Sequence, residues 1–159
     1  ITLLGPAWSD HAVWRAAATL AGQPAPAPID DERIPLAVCG AHLDGQPLHH
    51  QLRDRRARLV ARTTTSAAYR MVALPTEPPK PGMLRVGEGE AGAALEVEVW
   101  SLDAASFGSL VAAVPAPLVI GTVELADGSS VPGFLCEPHA TVNAPDITAY
   151  GGWRAWLGR

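Results

Sequence analysis

Apolar positions along the chain come in short runs broken by glycine and proline, and the spacing within the runs switches between helical and strand periods. Ile1-Thr2-Leu3-Leu4, closed by Gly5-Pro6, reads as a strand or strand end. Ser9-Asp10 can N-cap a helix whose apolar residues Ala12, Val13, Ala16, Ala17 and Leu20 follow helical spacing, with Gly22 as its stop. Gln23-Pro24-Ala25-Pro26-Ala27-Pro28 cannot continue a helix or pair as a central strand, so it reads as a stiff, extended linker. The charged Asp30-Asp31-Glu32-Arg33 follows. These signals place a boundary between Gly22 and Arg33. They divide the chain into a short leading segment, 1–22, a linker, 23–33, and a main domain, 34–159.

In the main domain Ile34 to Cys39 reads as a buried strand, running into the loop Gly40-Ala41-His42-Leu43-Asp44-Gly45-Gln46-Pro47. Pro47 suits a first helical turn, and a helix is expected from Pro47 to Arg58 presenting Leu48 and Leu52. Within Thr63 to Leu74, a β-branched and then apolar stretch, the pattern predicts a strand through Tyr69–Leu74. Pro75 to Gly82 holds four prolines and reads as loop, with a short strand from Met83 to Val86. Leu95 to Trp100 alternates, with Glu96 and Glu98 on one face and Leu95, Val97 and Val99 on the other. Asp103 can cap a helix reaching about Val114, where Pro115 ends it. Gly121–Leu125, the Asp127-Gly128 turn and Val131–Cys136 form a hairpin signature, and the tail closes in a turn and short helix. The fold class is α+β. Five or six mostly hairpin-connected strands and two or three helices would form a small twisted mixed sheet or partial barrel.

Composition narrows the functional classes. At 159 residues the chain can bury a core without staples. A net charge of −4 leaves no basic surplus for a phosphate backbone, so nucleic acid is not an expected partner. The cationic run Arg53-Asp54-Arg55-Arg56-Ala57-Arg58 reads as a solvated helix face. Cys39 and Cys136 sit in apolar runs, as core thiols of a reducing compartment do, and no zinc spacing accompanies them. No apolar stretch reaches the ~18 residues of a membrane span, and no basic n-region opens the chain. A cytoplasmic location and no membrane partner are expected. The first residue is Ile rather than Met, as in a piece of a longer polypeptide.

The loop from Gly40 to Pro47 is the strongest candidate for chemistry. A strand end, two glycines and a helix start gather backbone N–H groups, an arrangement that suits anions. His42 lies in this loop, and His49 and His50 follow. Histidine titrates near neutral pH and can deliver a proton to a leaving nitrogen. The plain alternative is a loop whose glycines serve geometry and whose histidines are bystanders. Glu96 and Glu98 could couple as paired carboxylates or simply face water. Tyr69 is a core aromatic or a hydroxyl near a strand end. No nucleophile elbow, phosphate loop, dinucleotide fingerprint or HExxH occurs.

Longer stretches carry a resemblance. Ala37-Val38-Cys39-Gly40-Ala41-His42-Leu43-Asp44-Gly45-Gln46-Pro47-Leu48-His49-His50-Gln51-Leu52, Tyr69-Arg70-Met71-Val72-Ala73-Leu74-Pro75 and Lys80-Pro81-Gly82 resemble the C-terminal domain of allophanate hydrolases. So do Glu96-Val97-Glu98-Val99-Trp100, Pro115-Ala116-Pro117-Leu118, Ile120-Gly121-Thr122-Val123-Glu124-Leu125, Gly133-Phe134-Leu135-Cys136-Glu137 and Asp146-Ile147-Thr148-Ala149-Tyr150-Gly151-Gly152-Trp153. The likeness spans nearly all of 34–157, with His49 departing from the asparagine often found there. The segment Ile1–Asp10 resembles the last strand and helix of an amidase-signature domain, whose catalytic lysine and serines lie upstream of this sequence.

The resemblance implies a fold similar to γ-glutamyl cyclotransferases, whose glycine loop after the first strand binds substrate. Their catalytic glutamate falls where this chain has Leu110-Val111-Ala112-Ala113-Val114-Pro115, without an acid, so cyclotransferase chemistry is not expected. In the family the amidase half yields N-carboxycarbamate from allophanate, and the C-terminal half promotes its decarboxylation on the way to ammonia and carbon dioxide. The substrate-binding residues implied are Gly40, Ala41, Leu43, Gly45 and Gln46. His42 would act as general acid or hydrogen-bond donor, with His50 as its rival and Tyr69 and Glu98 orienting it. No metal or organic cofactor is called for. The partners implied are N-carboxycarbamate and the amidase domain of the same polypeptide, with a homodimer left open. A non-catalytic module that stabilises or oligomerises the amidase is the competing reading.

Overall fold

The computed structural model describes residues 2–5, 10–23, 33–87 and 89–158. The chain divides into two compact units, residues 1–32 and 33–159. In the first, α1 spans Asp10–Leu20, and Gly22 takes the left-handed φ of +65° that lets the chain leave the helix. Trp14 and Leu20 on this helix are exposed. Residues 2–5 form no strand, and the expected cap at Ser9 and the linker prolines lie outside the described residues.

The second unit is α+β. Its five-stranded sheet has β1 (Ile34–Val38) at the centre. On one side β1 pairs antiparallel with β5 (Glu96–Leu102), which pairs antiparallel with the edge strand β2 (Arg58–Thr64). On the other side β1 runs parallel to β7 (Ser130–Cys136), which forms a hairpin with β6 (Leu118–Glu124). The strand order is therefore β2-β5-β1-β7-β6, a mixed sheet that does not close. A separate two-stranded sheet is made by β3 (Tyr69–Leu74) and β4 (Lys80–Arg85). Among the described residues three α-helices, α2 (His50–Asp54), α3 (Ala104–Ala112) and α4 (Trp153–Leu157), and two short 3-10 helices, Pro138–Thr141 and Thr148–Tyr150, complete the unit. Asp103 caps α3 by accepting from the Ser106 N–H at 2.9 Å.

Three expectations are corrected. The helix expected over Pro47–Arg58 is a single short one, because Arg56 turns left-handed at φ 52° and Arg58 already opens β2. The short helix buries only one apolar residue, Leu52, and six residues of β2 pair along β5 with a register shift between Leu59 and Ala61. Among the described residues there are thus seven strands, and β2 and β5 meet across an intervening hairpin rather than a tight turn. The β4 strand begins at Lys80, inside the proline-rich stretch read as loop. Pro81 is tolerated because a two-stranded sheet leaves each strand an unpaired edge.

The third correction concerns β5. Glu96 and Glu98 do not share a solvated face, because β5 lies between two strands and Val97, Glu98, Val99 and Trp100 are all buried. The Glu98 side chain is fully inaccessible and fully bonded. Oε2 accepts from the Asp44 N–H at 2.8 Å and the Trp100 indole at 3.1 Å. Oε1 accepts from Arg62 at 3.2 Å and Arg154 at 2.8 Å. Arg154 also donates to Glu96 at 2.7 Å and to the Asp44 carbonyl at 2.9 Å. One carboxylate thus ties together β2, β5, α4 and the loop that follows β1. Burial alone would raise its pKa, but the Asp44, Arg154 and Trp100 donors prevail and hold it below the ordinary 4.5.

The same network fixes the sign of its pH effect. A carboxylate whose pKa is lower folded than unfolded stabilises the fold above about 4.5, and that contribution is lost as pH falls through its folded value. Glu98→Ala, which takes the acceptor from the Asp44 N–H and the Trp100 indole and one of three from Arg154, is expected to cost about 3 kcal/mol at pH 7. Thermal melts should show this, and the mutant's melting temperature should drop less than that of the parent when pH is lowered below 4.5. Equal acid sensitivity in the two proteins would remove Glu98 as the source.

Candidate functional site

The loop after β1 is held mostly by its own backbone. Leu43 donates to Gly40, Gln46 to Leu43 and Leu48 to Ala41, at 2.8–2.9 Å, while Asp44 donates to Glu98. Among the described residues, the N–H groups of Ala41, His42 and Gly45 donate to no protein acceptor. The glycines serve geometry in two ways. Gly45 adopts φ +79°, a left-handed turn. At Gly40 a Cβ would lie 2.4 Å from the Pro81 ring, so the β4 strand can press onto the loop only where the side chain is missing.

That contact brings Lys80, next to Pro81, to the loop. His42 and Lys80, together with Leu118 and Phe134, border two adjoining recesses. The narrower one holds about 20 Å³ of free space and is walled by Val38, Cys39, Gly40, Ala41 and Pro81. The wider one holds about 140 Å³ and adds Gln51, Leu110, Ala113, Val114 and Pro115. Among the described residues, no carboxylate lines either recess. The segment from Leu110 to Pro115 contributes the apolar side chains of Leu110, Ala113, Val114 and Pro115 to the wall.

His42 is half-buried and stacks on Phe134, with ring centroids 4.9 Å apart and planes inclined by 20°. Its Nε2 lies 3.0 Å from Gln51 Oε1. With an amide oxygen facing it, Nε2 carries the hydrogen and Nδ1 the lone pair in the neutral ring. Burial lowers the His42 pKa below 6.5; the Gln51 bond opposes this, and the charges of Lys80, His50 and Arg55 add to the lowering. The cleft therefore holds a neutral imidazole beside an ammonium. Lys80 is half-buried, and among the described residues it forms no ion pair or side-chain hydrogen bond.

The other candidate residues fall elsewhere. His50 is exposed, bonds the Pro47 carbonyl at 3.0 Å and borders a separate open recess with Gly45, Gln46 and His49. Gly40 and Ala41 line the His42 cleft, Gly45 and Gln46 do not, and the Leu43 side chain is wholly in the core. Tyr69 is fully buried and its hydroxyl accepts the Glu124 N–H at 2.8 Å, tying β3 to β6. Glu98 spends its oxygens on the network described above. Neither Tyr69 nor Glu98 bonds to His42 or lines its cleft. Sequence reasoning missed Lys80, Gln51 and Phe134 as cleft residues. Only Lys80 carried a signal, as a single cation in a proline-rich, otherwise uncharged stretch from Pro78 to Leu84. Both cysteines are free and buried, and burial pushes the Cys39 thiol up to about 12, so it is no nucleophile. Among the described residues no three His, Cys, Asp or Glu side chains are placed to hold a metal ion.

Residues 34–158 match the family model described as the allophanate hydrolase C-terminal domain. Urea amidolyase of Saccharomyces cerevisiae is 45% identical over 128 residues, which are 78% of this chain and 7% of that protein. The chain thus spans a small fraction of the curated relatives it matches. Among solved structures, Kluyveromyces lactis allophanate hydrolase superposes with a TM-score of 0.77 at 38% identity, covering 86% of this chain and 23% of that one. A uropathogenic E. coli-specific protein gives 0.73 at 37% identity, covering 80% of this chain and 97% of that one. A likeness at 20% identity and TM-score 0.55 to an aig2-like protein of Mus musculus shows the fold alone, which is of the γ-glutamyl cyclotransferase-like kind.

The Gly40–Pro81 contact makes a direct prediction. Gly40→Ala must push the Pro81 ring away and is expected to cost about 1–3 kcal/mol, as overpacking does. Chemical denaturation should show the loss. A fully stable Gly40→Ala protein would mean that the loop and β4 are not pressed together.

Proposed function

From the membership of this chain in the allophanate hydrolase C-terminal domain family, we propose that its cleft promotes the decarboxylation of N-carboxycarbamate. The observation that carries the reading is a small cleft with a neutral histidine and an ammonium that, among the described residues, has no ion-pair partner and no carboxylate beside it in the lining. A cleft of this charge accepts a small anion and has no acid to repel it. Its volume of about 140 Å³ suits a substrate of a few heavy atoms.

The reaction asks little of the protein. The bond between nitrogen and one carboxyl carbon breaks, its electron pair stays on nitrogen, and carbon dioxide departs. Nitrogen then takes a proton to give carbamate. His42 is the group we assign to that proton. A bound dianion brings negative charge to the ring and reverses the effect that Lys80, His50 and Arg55 have on it, so the imidazole gains a proton as substrate enters. Gln51 holds the ring in orientation through Nε2, leaving Nδ1 to exchange the proton. The free N–H groups of Ala41 and His42 are available to a carboxylate oxygen. Substrate would come from the amidase domain of a longer polypeptide.

The test follows carbon dioxide and ammonia at early times after allophanate is given to an amidase half, alone and with this chain added. The chain should bring carbon dioxide release into step with amide cleavage. His42→Ala should lose on the order of a hundredfold in that acceleration, and His50→Ala should lose almost none. If the added chain leaves carbon dioxide release unchanged, the domain is a stabilising module of the amidase instead. If His42→Ala keeps the full effect, the proton comes from another group.

A further inference from the structure

Lys80 differs from the other half-buried cations described: Arg33 bonds to Ser101, and Arg55 to Ser109 and the Gln51 carbonyl. Arg62, Arg70, Arg85 and Arg154 each meet a carboxylate within 3.2 Å. Lys80 meets none among the described residues, although it is half-buried and lines both recesses beside His42. An ammonium drawn partly out of water without a counter-ion is a cost that surface placement would avoid. The fold nonetheless holds Lys80 in place. It is the first residue of β4, its backbone is paired with Leu74, and its neighbour Pro81 is seated on Gly40.

We propose that Lys80 is the anchor for one carboxylate of a small dicarboxylate in the His42 cleft, and that its charge makes the site select dianions over monoanions. This rests on the decarboxylation reading and assigns the ends of the substrate. The carboxylate that remains in the product pairs with Lys80. The carboxylate that leaves is placed toward the apolar wall of Leu110, Val114, Leu118 and Phe134, where loss of its charge is favoured. The single cation is thereby given to the end whose charge persists, and the reacting end receives no counter-ion that would hold its carboxylate back.

The probe is malonate, a stable dicarboxylate with a carbon in place of the central nitrogen, with acetate as the monoanion. Binding is read on the full chain by calorimetry and by the His42 ring signals in NMR. The parent should bind malonate, bind acetate far more weakly, and show a rise in the His42 titration midpoint with malonate present. Lys80→Met should weaken malonate binding about ten- to hundredfold, level the two ligands, and raise the His42 midpoint of the empty protein. Lys80→Arg should restore most of the preference for the dianion. A purely structural role for Lys80 would change the melting temperature and move none of these. If Lys80→Met binds malonate as the parent does, the anchor assignment is overturned while the decarboxylation reading stands. If the parent binds no malonate and also leaves carbon dioxide release unchanged, both fall.

Discussion

The buried carboxylate of Glu98 is the constraint on which the rest of the domain hangs. It sits on a central strand, opposite Val38 at the end of β1 and Arg62 on β2. From there it receives the Asp44 N–H, the Trp100 indole and two guanidinium groups. A carboxylate this inaccessible is tolerated only when every lone pair is used. Satisfying it fixes the loop that carries His42, the edge strand β2 and the C-terminal helix in one geometry. Arg154, reaching from α4 to both Glu98 and the Asp44 carbonyl, closes that network.

A second constraint is steric. Pro81 can approach the loop only because Gly40 lacks a side chain, and this approach puts Lys80 beside His42. Charge and chemistry are thus divided in space. The acids of β5 are consumed in scaffolding, and the cleft keeps a cation and an imidazole without them. The run from Leu110 to Pro115 brings apolar groups to the cleft wall.

Much of the fold was legible in the sequence because its signals are local. The β6–β7 hairpin announced itself through Asp127-Gly128, and Asp103 announced α3. What stayed hidden depends on partners distant in sequence. The start of β2 is disguised by Arg58, which reads as the end of the cationic helix face, while Arg62 sits on the edge strand and pairs with Glu98. The burial of Glu98 is invisible to an alternation rule that assumes one wet face, since loop residues from Asp44 to His49 cover that side, with the His49 ring 5.0 Å from Trp100. For the proposed site, the sequence singled out His42, Gly40 and Ala41, which the structure places along one cleft, and the long family resemblance gave the reading its substrate. Lys80 was not found, because only the docking of β4 on Gly40 brings it there. Tyr69 was picked out for its hydroxyl, which the structure ties to the Glu124 backbone.

A scaffolding carboxylate and a separate His42 cleft respond differently to a ligand, and an NMR pH titration of the Glu98 carboxyl carbon and the His42 ring, with and without malonate, distinguishes them. Glu98 should titrate below 4.5 and His42 below 6.5 in the ligand-free protein, and malonate should move only the histidine, upward. A Glu98 signal that titrates near its ordinary value, or that shifts with malonate while His42 stays still, would show that the two are not separate.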